Sequence, residues 1–216
     1  MRVPFAHLLA VVVAGSGIAA EATAQVLQLP RARRAVFATS IWAGYVDPGN
    51  VADGRTDTDW IFSDGLGWRA SLEYGIGRGS TLGVVGSFTR LPLEVRSRTD
   101  ASTREAEGDI LSLEALFHAG GEIGLHQVIE VSAGVREFRN FRADGSGEKL
   151  GPVSGDRDLT FALGYGFGFG FSSRAQIALV QDFGYTFHQR EGLPASSSRT
   201  AQHRSTRIGL RIRLGG

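Results

Sequence analysis
The chain has 216 residues, of which 42% are hydrophobic, and a formal net charge of +1. A balance this close to neutral excludes a general nucleic-acid binder, whose footprint is a basic patch. The lack of cysteine excludes disulfides and thiolate metal sites. Basic charge is almost all arginine, and the 30 glycines do not cluster into a linker, many of them sitting inside alternating segments.

Arg2, the apolar run Leu8 to Ala14 and the small-x-small stretch Ala22-Thr23-Ala24 lay out a secretory signal peptide over residues 1–24. A membrane anchor needs about 20 apolar residues, and this run breaks at Gly15, Ser16, Gly17 and Glu21. No cysteine follows the cleavage site, so no lipid is attached there. Residues 25–34 read as a short periplasmic segment, and residues 35–216 as one domain in which no stretch suits a transmembrane helix.

Eight segments of period two follow. The first, Val36 to Val46, has no clear phase. The second, Leu66 to Gly77, sets Leu66, Trp68, Ala70, Leu72, Tyr74 and Ile76 against Gly67, Arg69, Ser71, Glu73 and Gly75. The third runs from Ser80 to Arg96, again without a settled phase. The fourth, Asp109 to Ala119, opposes Leu111, Leu113, Ala115 and Phe117 to Ser112, Glu114 and His118. The fifth, Leu125 to Phe138, opposes Ile129, Val131, Ala133 and Val135 to Glu130, Ser132, Gly134 and Arg136.

The sixth, Leu159 to Phe171, is the most telling. Leu159, Phe161, Leu163, Tyr165, Phe167, Phe169 and Phe171 alternate with Thr, Ala and Gly. One face of such a strand is wholly apolar and the other nearly bare. A tilted strand of this length spans about 30 Å, the thickness of a bilayer core. The seventh segment turns Ile177, Leu179, Gln181, Phe183, Tyr185 and Phe187 outward, opposite Asp182, Gly184, Thr186 and His188. The eighth sets Ile208, Leu210, Ile212 and Leu214 against Arg207, Gly209, Arg211 and Arg213.

Short turns at Gly77 to Ser80, Gly120 to Glu122 and Ser172 to Arg174 alternate with long polar connections. Short periplasmic turns and long extracellular loops are the habit of outer-membrane barrels. The expected fold is therefore all-β, an eight-stranded antiparallel up-and-down transmembrane β-barrel in the outer membrane. Pro92, inside the third segment, marks a bulge or the barrel rim, because a ladder interior would lose a hydrogen bond. Phe183, Tyr185 and Phe187 fall toward the outer rim, and Phe167, Phe169 and Phe171 toward the periplasmic one, as interface girdles.

The faces opposite the apolar ones carry Arg69, Glu73, Glu114, Glu130, Arg136, Asp182, Arg207, Arg211 and Arg213. The lumen of an eight-stranded barrel is just wide enough for side chains. These charges are expected to pair across it as a plug rather than to line an ion path.

On these features the chain resembles the small OmpA/OmpX-type outer-membrane barrels. The C-terminal strand carries the sharpest likeness: Arg207-Ile208-Gly209-Leu210-Arg211-Ile212-Arg213-Leu214 fits the pattern polar-x-Gly-x-x-apolar-x-apolar. In that family the pattern is an assembly signal, which places Arg207, Gly209, Ile212 and Leu214 at its defining positions. The family usually ends on an aromatic residue, whereas this chain ends Leu214-Gly215-Gly216. The resemblance implies outer-membrane lipid and the barrel-assembly machinery as partners. It does not select one activity, since such barrels serve as anchors, adhesins, lipid enzymes or small pores.

Three other readings were open. Some lipid A deacylases are eight-stranded outer-membrane barrels with a His and a Ser two apart on one lipid-facing strand, and His203-x-Ser205 offers that spacing. Here the phase of Ile208 and Leu210 turns His203 and Ser205 inward. A secreted lipocalin-like binder would put the apolar face inside and the charged face in water. Asp47, Asp53, Asp57, Asp59 and Asp64 crowd the first long connection and offer Ca²⁺ ligands, but lack an EF-hand pattern. The histidines His7, His118, His126, His188 and His203 show no metal-ligand spacing. The expected role is non-catalytic, with no cofactor or metal and no nucleic-acid partner: a monomer serving envelope structure or surface interaction through four long loops.

Overall fold
The computed structural model describes residues 37–77, 79–152, 156–188, 192–193 and 200–214. The expected signal peptide and the 25–34 segment lie outside the described residues. Ten strands follow in order: β1 Phe37–Asp47, β2 Asn50–Asp53, β3 Thr58–Phe62, β4 Gly65–Gly77, β5 Ser80–Ser97, β6 Thr103–Gly120, β7 Gly124–Ala143, β8 Asp156–Gly170, β9 Ala175–Phe187 and β10 Thr200–Leu214. Their order is β5-β4-β1-β10-β9-β8-β7-β6, and β6 pairs back onto β5 to close a ring of eight. All pairings are antiparallel, and the first and last ring strands meet in register from Phe37↔Leu214 to Asp47↔Arg204. Closure leaves no free edge in the ring.

The apolar faces point outward. Leu66, Leu72, Leu159, Phe167 and Leu210 stand exposed, Phe167 at 52% and Leu210 at 41%, while Arg207 is 3% and Arg136 8% exposed. A barrel in water would reverse these values, so the lipocalin-like reading is overturned. An outer surface of this kind is stable only against acyl chains. The phase of β1 is also settled: Ala38, Ser40 and Trp42 are buried and Phe37, Ile41 and Tyr45 exposed.

Beyond the apolar belt, the long-loop end departs from the expected pattern. β6 begins at Thr103 and β7 continues to Ala143, so both outrun their alternating segments. The connection from Asp47 to Asp64 is not a plain loop, because β2 and β3 form a hairpin whose second strand pairs with β5 from Thr58↔Ser97 to Phe62↔Leu93. β5 keeps one phase throughout, yet its chemistry inverts along its length. Leu82, Val84 and Phe88 face out in the belt, followed by Arg90, Glu94 and Arg96; Thr81 and Thr89 face in, followed by Leu91, Leu93 and Val95.

Pro92 sits at the changeover. β5 leaves β4 at Thr89 and meets β3 at Leu93. The missing N–H thus falls in the gap between the two ladders, where the Pro92 carbonyl alone is used, accepting from the Ser63 N–H at 2.9 Å. The bulge lies across from it, between β6 and β7, where the register shifts between Glu107 and Asp109. Asn140, on the bulged strand, has φ +58°, a left-handed conformation that Asn tolerates better than most residues. The extra residue lets Phe138 and Phe141, three apart, both point inward, at 0% and 1% exposure.

Candidate functional site
The interior has three levels. Arg213 closes the periplasmic end, donating to the carbonyls of Gly121 at 3.0 Å, Ser173 at 3.3 Å and Glu122 at 3.4 Å. One guanidinium therefore ties two short turns together. Above it, Arg211 donates to Glu73 at 2.7 Å and to Thr81 at 3.0 Å, and Glu73 also accepts from Ser71 at 2.6 Å.

The middle level centres on Arg207, which donates to Glu130 at 2.5 Å and to Asp182 at 2.7 Å. Arg69 lies 3.6 Å from Glu130, and His118 Nδ1 lies 3.0 Å from it. Charges taken out of water need good geometry and satisfied neighbours to offset desolvation; Arg207 Nε and Nη2 meet both carboxylates, while its Nη1 makes no hydrogen bond among the described residues. Its guanidinium also stacks 4.2 Å above Trp42, a cation–π contact absent from the sequence reading. The indole fits because residue 209 is glycine; a Cβ there would stand 2.3 Å from the Trp42 ring.

The nine charged residues expected in the lumen all lie on inner faces, but they do not form one network. Glu114 accepts from Ser112 at 2.6 Å, and Arg136 donates to Thr186 at 3.1 Å. Among the described residues neither has an ion-pair partner within 4.0 Å. The interior is also less purely ionic than the alternation implied. Trp42, Val128, Ala178 and Val180 form a small apolar cluster within it. A cavity of about 60 Å³ is lined by Trp42, Arg69, Glu114, Arg136, Asp182 and Arg207 among others. That volume suits a few waters rather than a solute.

His203 and Ser205 both lie inside, but they serve different neighbours. His203 Nε2 is 3.2 Å from the Thr160 hydroxyl, and Ser205 donates to Asp182 at 2.7 Å. Ser205 is spent on a carboxylate already held by Arg207, and no nucleophile–base pair forms.

The third level is an apolar cap at the long-loop end. Val51, Trp60, Phe62, Leu91, Leu93, Ile110, Phe138 and Phe141 bury one another. Trp60 lies 4.9 Å from Phe141 and 5.6 Å from Phe138, ring centre to ring centre. Sequence reasoning missed this cap, because two of its strands belong to a presumed loop and a third follows a bulge.

At the edge of the cap Asp53, Asp156 and His188 converge, each offering one ligand atom within 4.8 Å of the others. Trp60 stands edge-on to the His188 ring at 5.3 Å. Burial opposes charge on His188, but its contacts with Asp158 and Asp53 and the field of Asp156 outweigh it and raise its pKa to about 9. Burial also opposes charge on Asp53, yet the His188 ring 3.5 Å away and bonds from Thr56 and the Arg55 amide bring its pKa down to about 2. The other acidic residues of the first connection disperse: Asp47 pairs with Arg204 at 3.0 Å, Asp59 with Arg98, and Asp57 accepts from Thr99 at 2.8 Å. They do not gather into the Ca²⁺ site that their crowding suggested. The histidine spacing gave no sign of the cluster, because its members are brought together only by the fold.

The ring and its lipid-facing belt define a small outer-membrane β-barrel. Among solved structures the fold matches Neisserial surface protein A, with TM-score 0.53 and 10% identity over 82% of this chain and 97% of that one. It also matches outer membrane protein OprG from Pseudomonas aeruginosa, with TM-score 0.52 and 11% identity over 83% and 96%. Identities this low show a shared fold. No protein-family model and no curated protein matches the sequence. The fold is that of the eight-stranded outer-membrane barrels to which the sequence was likened, and the protein resides in the outer membrane.

Proposed function
We propose that the protein is a non-conducting, non-catalytic envelope barrel that holds a folded cap at the cell surface. One observation carries this reading: the interior is cross-linked at every level, from the Arg213 closure through the Arg207 carboxylate pairs to the aromatic cap. A pore would need a continuous wet path past these groups. The cap instead offers a stiff platform for surface interaction, built from strands rather than free loops. The barrel acts as a monomer among outer-membrane lipids. Its last strand, with Arg207, Gly209, Ile212 and Leu214, addresses it to the barrel-assembly machinery.

Planar-bilayer recording of the refolded chain tests the proposal. No stable unitary current is expected from the native sequence. Reproducible ohmic steps from the native chain would overturn it.

A further inference from the structure
Neither the lumen plug nor the apolar cap uses the group at the cap's edge. Asp53 comes from β2, Asp156 from the start of β8, and His188 from just past β9. We propose that Asp53, Asp156 and His188 bind one first-row divalent metal ion of the Zn²⁺ type, pinning the β2–β3 hairpin to the outer ends of β8 and β9.

The geometry is close to a coordination shell. His188 Nε2 lies 3.5 Å from Asp53 Oδ1 and 3.9 Å from Asp156 Oδ2. An ion with bonds of about 2.0–2.1 Å in tetrahedral geometry holds its donors about 3.3–3.4 Å apart. All three donors lie within 4.8 Å of one another, so they close onto an ion by drawing together without a change of backbone partner. Two atoms point to a missing partner. The His188 side chain is 3% exposed and its Nε2 makes no hydrogen bond among the described residues; Asp156 Oδ1 makes none either, Arg55 being 3.6 Å away.

A fourth residue completes the pattern. Asp158 Oδ2 lies 2.6 Å from His188 Nδ1. A carboxylate accepting from Nδ1–H orients the ring and leaves the Nε2 lone pair for a metal, the usual outer support of a histidine ligand. Charge agrees. With an ion in place of the Nε2 proton, three carboxylates beside a neutral imidazole and Arg55 are balanced by its two charges. The donor set favours Zn²⁺-type ions over Ca²⁺ or Mg²⁺, which take mostly oxygen ligands and more of them. An adjoining cavity of about 300 Å³, lined by Asn50, Ala52, Asp59, Thr200 and His188, gives an ion a way in.

The test uses the full chain refolded in detergent, stripped with a chelator and dialysed against Zn²⁺, with metal content and titration heat as readouts. One Zn²⁺ per chain is expected. Affinity should fall at least tenfold in both His188→Gln and Asp53→Asn, fall about 10–100-fold in Asp158→Asn, and hold in Asp59→Asn. Gel mobility before and after boiling shows whether each variant has folded. Should a variant fail to fold, Co²⁺ loading of the native chain decides: a visible spectrum with nitrogen ligation supports the site, and one without it overturns it. No stoichiometric uptake, uptake unchanged in His188→Gln and Asp53→Asn, or binding of Ca²⁺ in preference to Zn²⁺ would each overturn the proposal. Bilayer currents have no bearing on this result, so it stands or falls apart from the non-conducting reading.

Discussion

The same strands obey opposite rules in the belt and in the cap. Within the belt, β5 to β7 turn Leu82, Val84, Leu113 and Val135 outward and hide Thr81, Glu114, Glu130 and Arg136. A few residues further out, the same strands hide Leu91, Leu93, Ile110, Phe138 and Phe141 and expose Arg90, Glu94 and Arg96. The solvent outside changes from hydrocarbon to water at that height, and the inside changes with it. In lipid an apolar interior gains nothing over the surroundings, so the interior is held by hydrogen bonds and ion pairs. In water the usual burial of apolar surface takes over. The protein is thus a membrane barrel and a small soluble core stacked on continuous strands.

The comparison breaks most sharply at Arg207. Arg207→Met leaves Asp182 buried without a cation and Glu130 with only Arg69 at 3.6 Å and His118, and removing one partner of a buried pair costs about 3–5 kcal/mol. The chain refolded in detergent should lose that much in urea unfolding followed by gel mobility, a measurement that bypasses any effect on assembly in cells. Adding Glu130→Gln and Asp182→Asn should restore most of the loss. An unchanged midpoint in Arg207→Met would mean that ionic pairing does not hold the belt together.

An effect no larger in size but confined to one region is expected in the cap. Trp60→Ala deletes the ring that touches Phe138, Phe141 and His188, and truncation of a buried Trp costs about 3–5 kcal/mol. The loss should open the cap to protease while the belt keeps its boiling-dependent mobility. If the belt midpoint falls in step, the two regions unfold as one unit and the division drawn here fails.

How far each region could be read beforehand follows from the same physics. In β8 the inner residues Thr160, Ala162, Gly164, Gly166 and Gly168 oppose an unbroken apolar face, so the strand, its phase and its setting are all visible in the chain. Arg207, Arg211 and Asp182 shared that clarity, since a charge on an otherwise apolar period marks a lumen. Their partners were not legible. Nothing in sequence links Arg207 to Trp42 on the strand that closes the ring, or to Glu130 on a strand that is not its neighbour. Period two also misled where polarity inverts: in β5 the apolar residues change faces around Pro92 while the backbone keeps its phase. In β7 the backbone itself shifts at Asn140, so Phe138 and Phe141 cannot belong to one regular alternation. The cluster of Asp53, Asp156 and His188 lay furthest from view, as its members are local neighbours in no part of the chain.

That shift in β7 supplies the finest probe of the boundary between the regions. Asn140 holds φ +58° and donates its side-chain amide to Asp109 at 2.8 Å, while Arg90 grips the same carboxylate at 2.7 Å. The bulge is thereby tied to the polar rim just above Phe88 and Leu111. Asn140→Val places a β-branched residue in the left-handed region and removes the amide donor; strain of this kind costs about 1–3 kcal/mol. Asn140→Gly keeps the backbone conformation and loses only the hydrogen bond, so it should cost less. Hydrogen exchange at residues 139–142 should accelerate in Asn140→Val and change little in Asn140→Gly, with amides of the belt unaffected in both. Equal acceleration in the two variants would mean that the bond to Asp109, and not the left-handed turn of the chain, keeps Phe141 aimed inward.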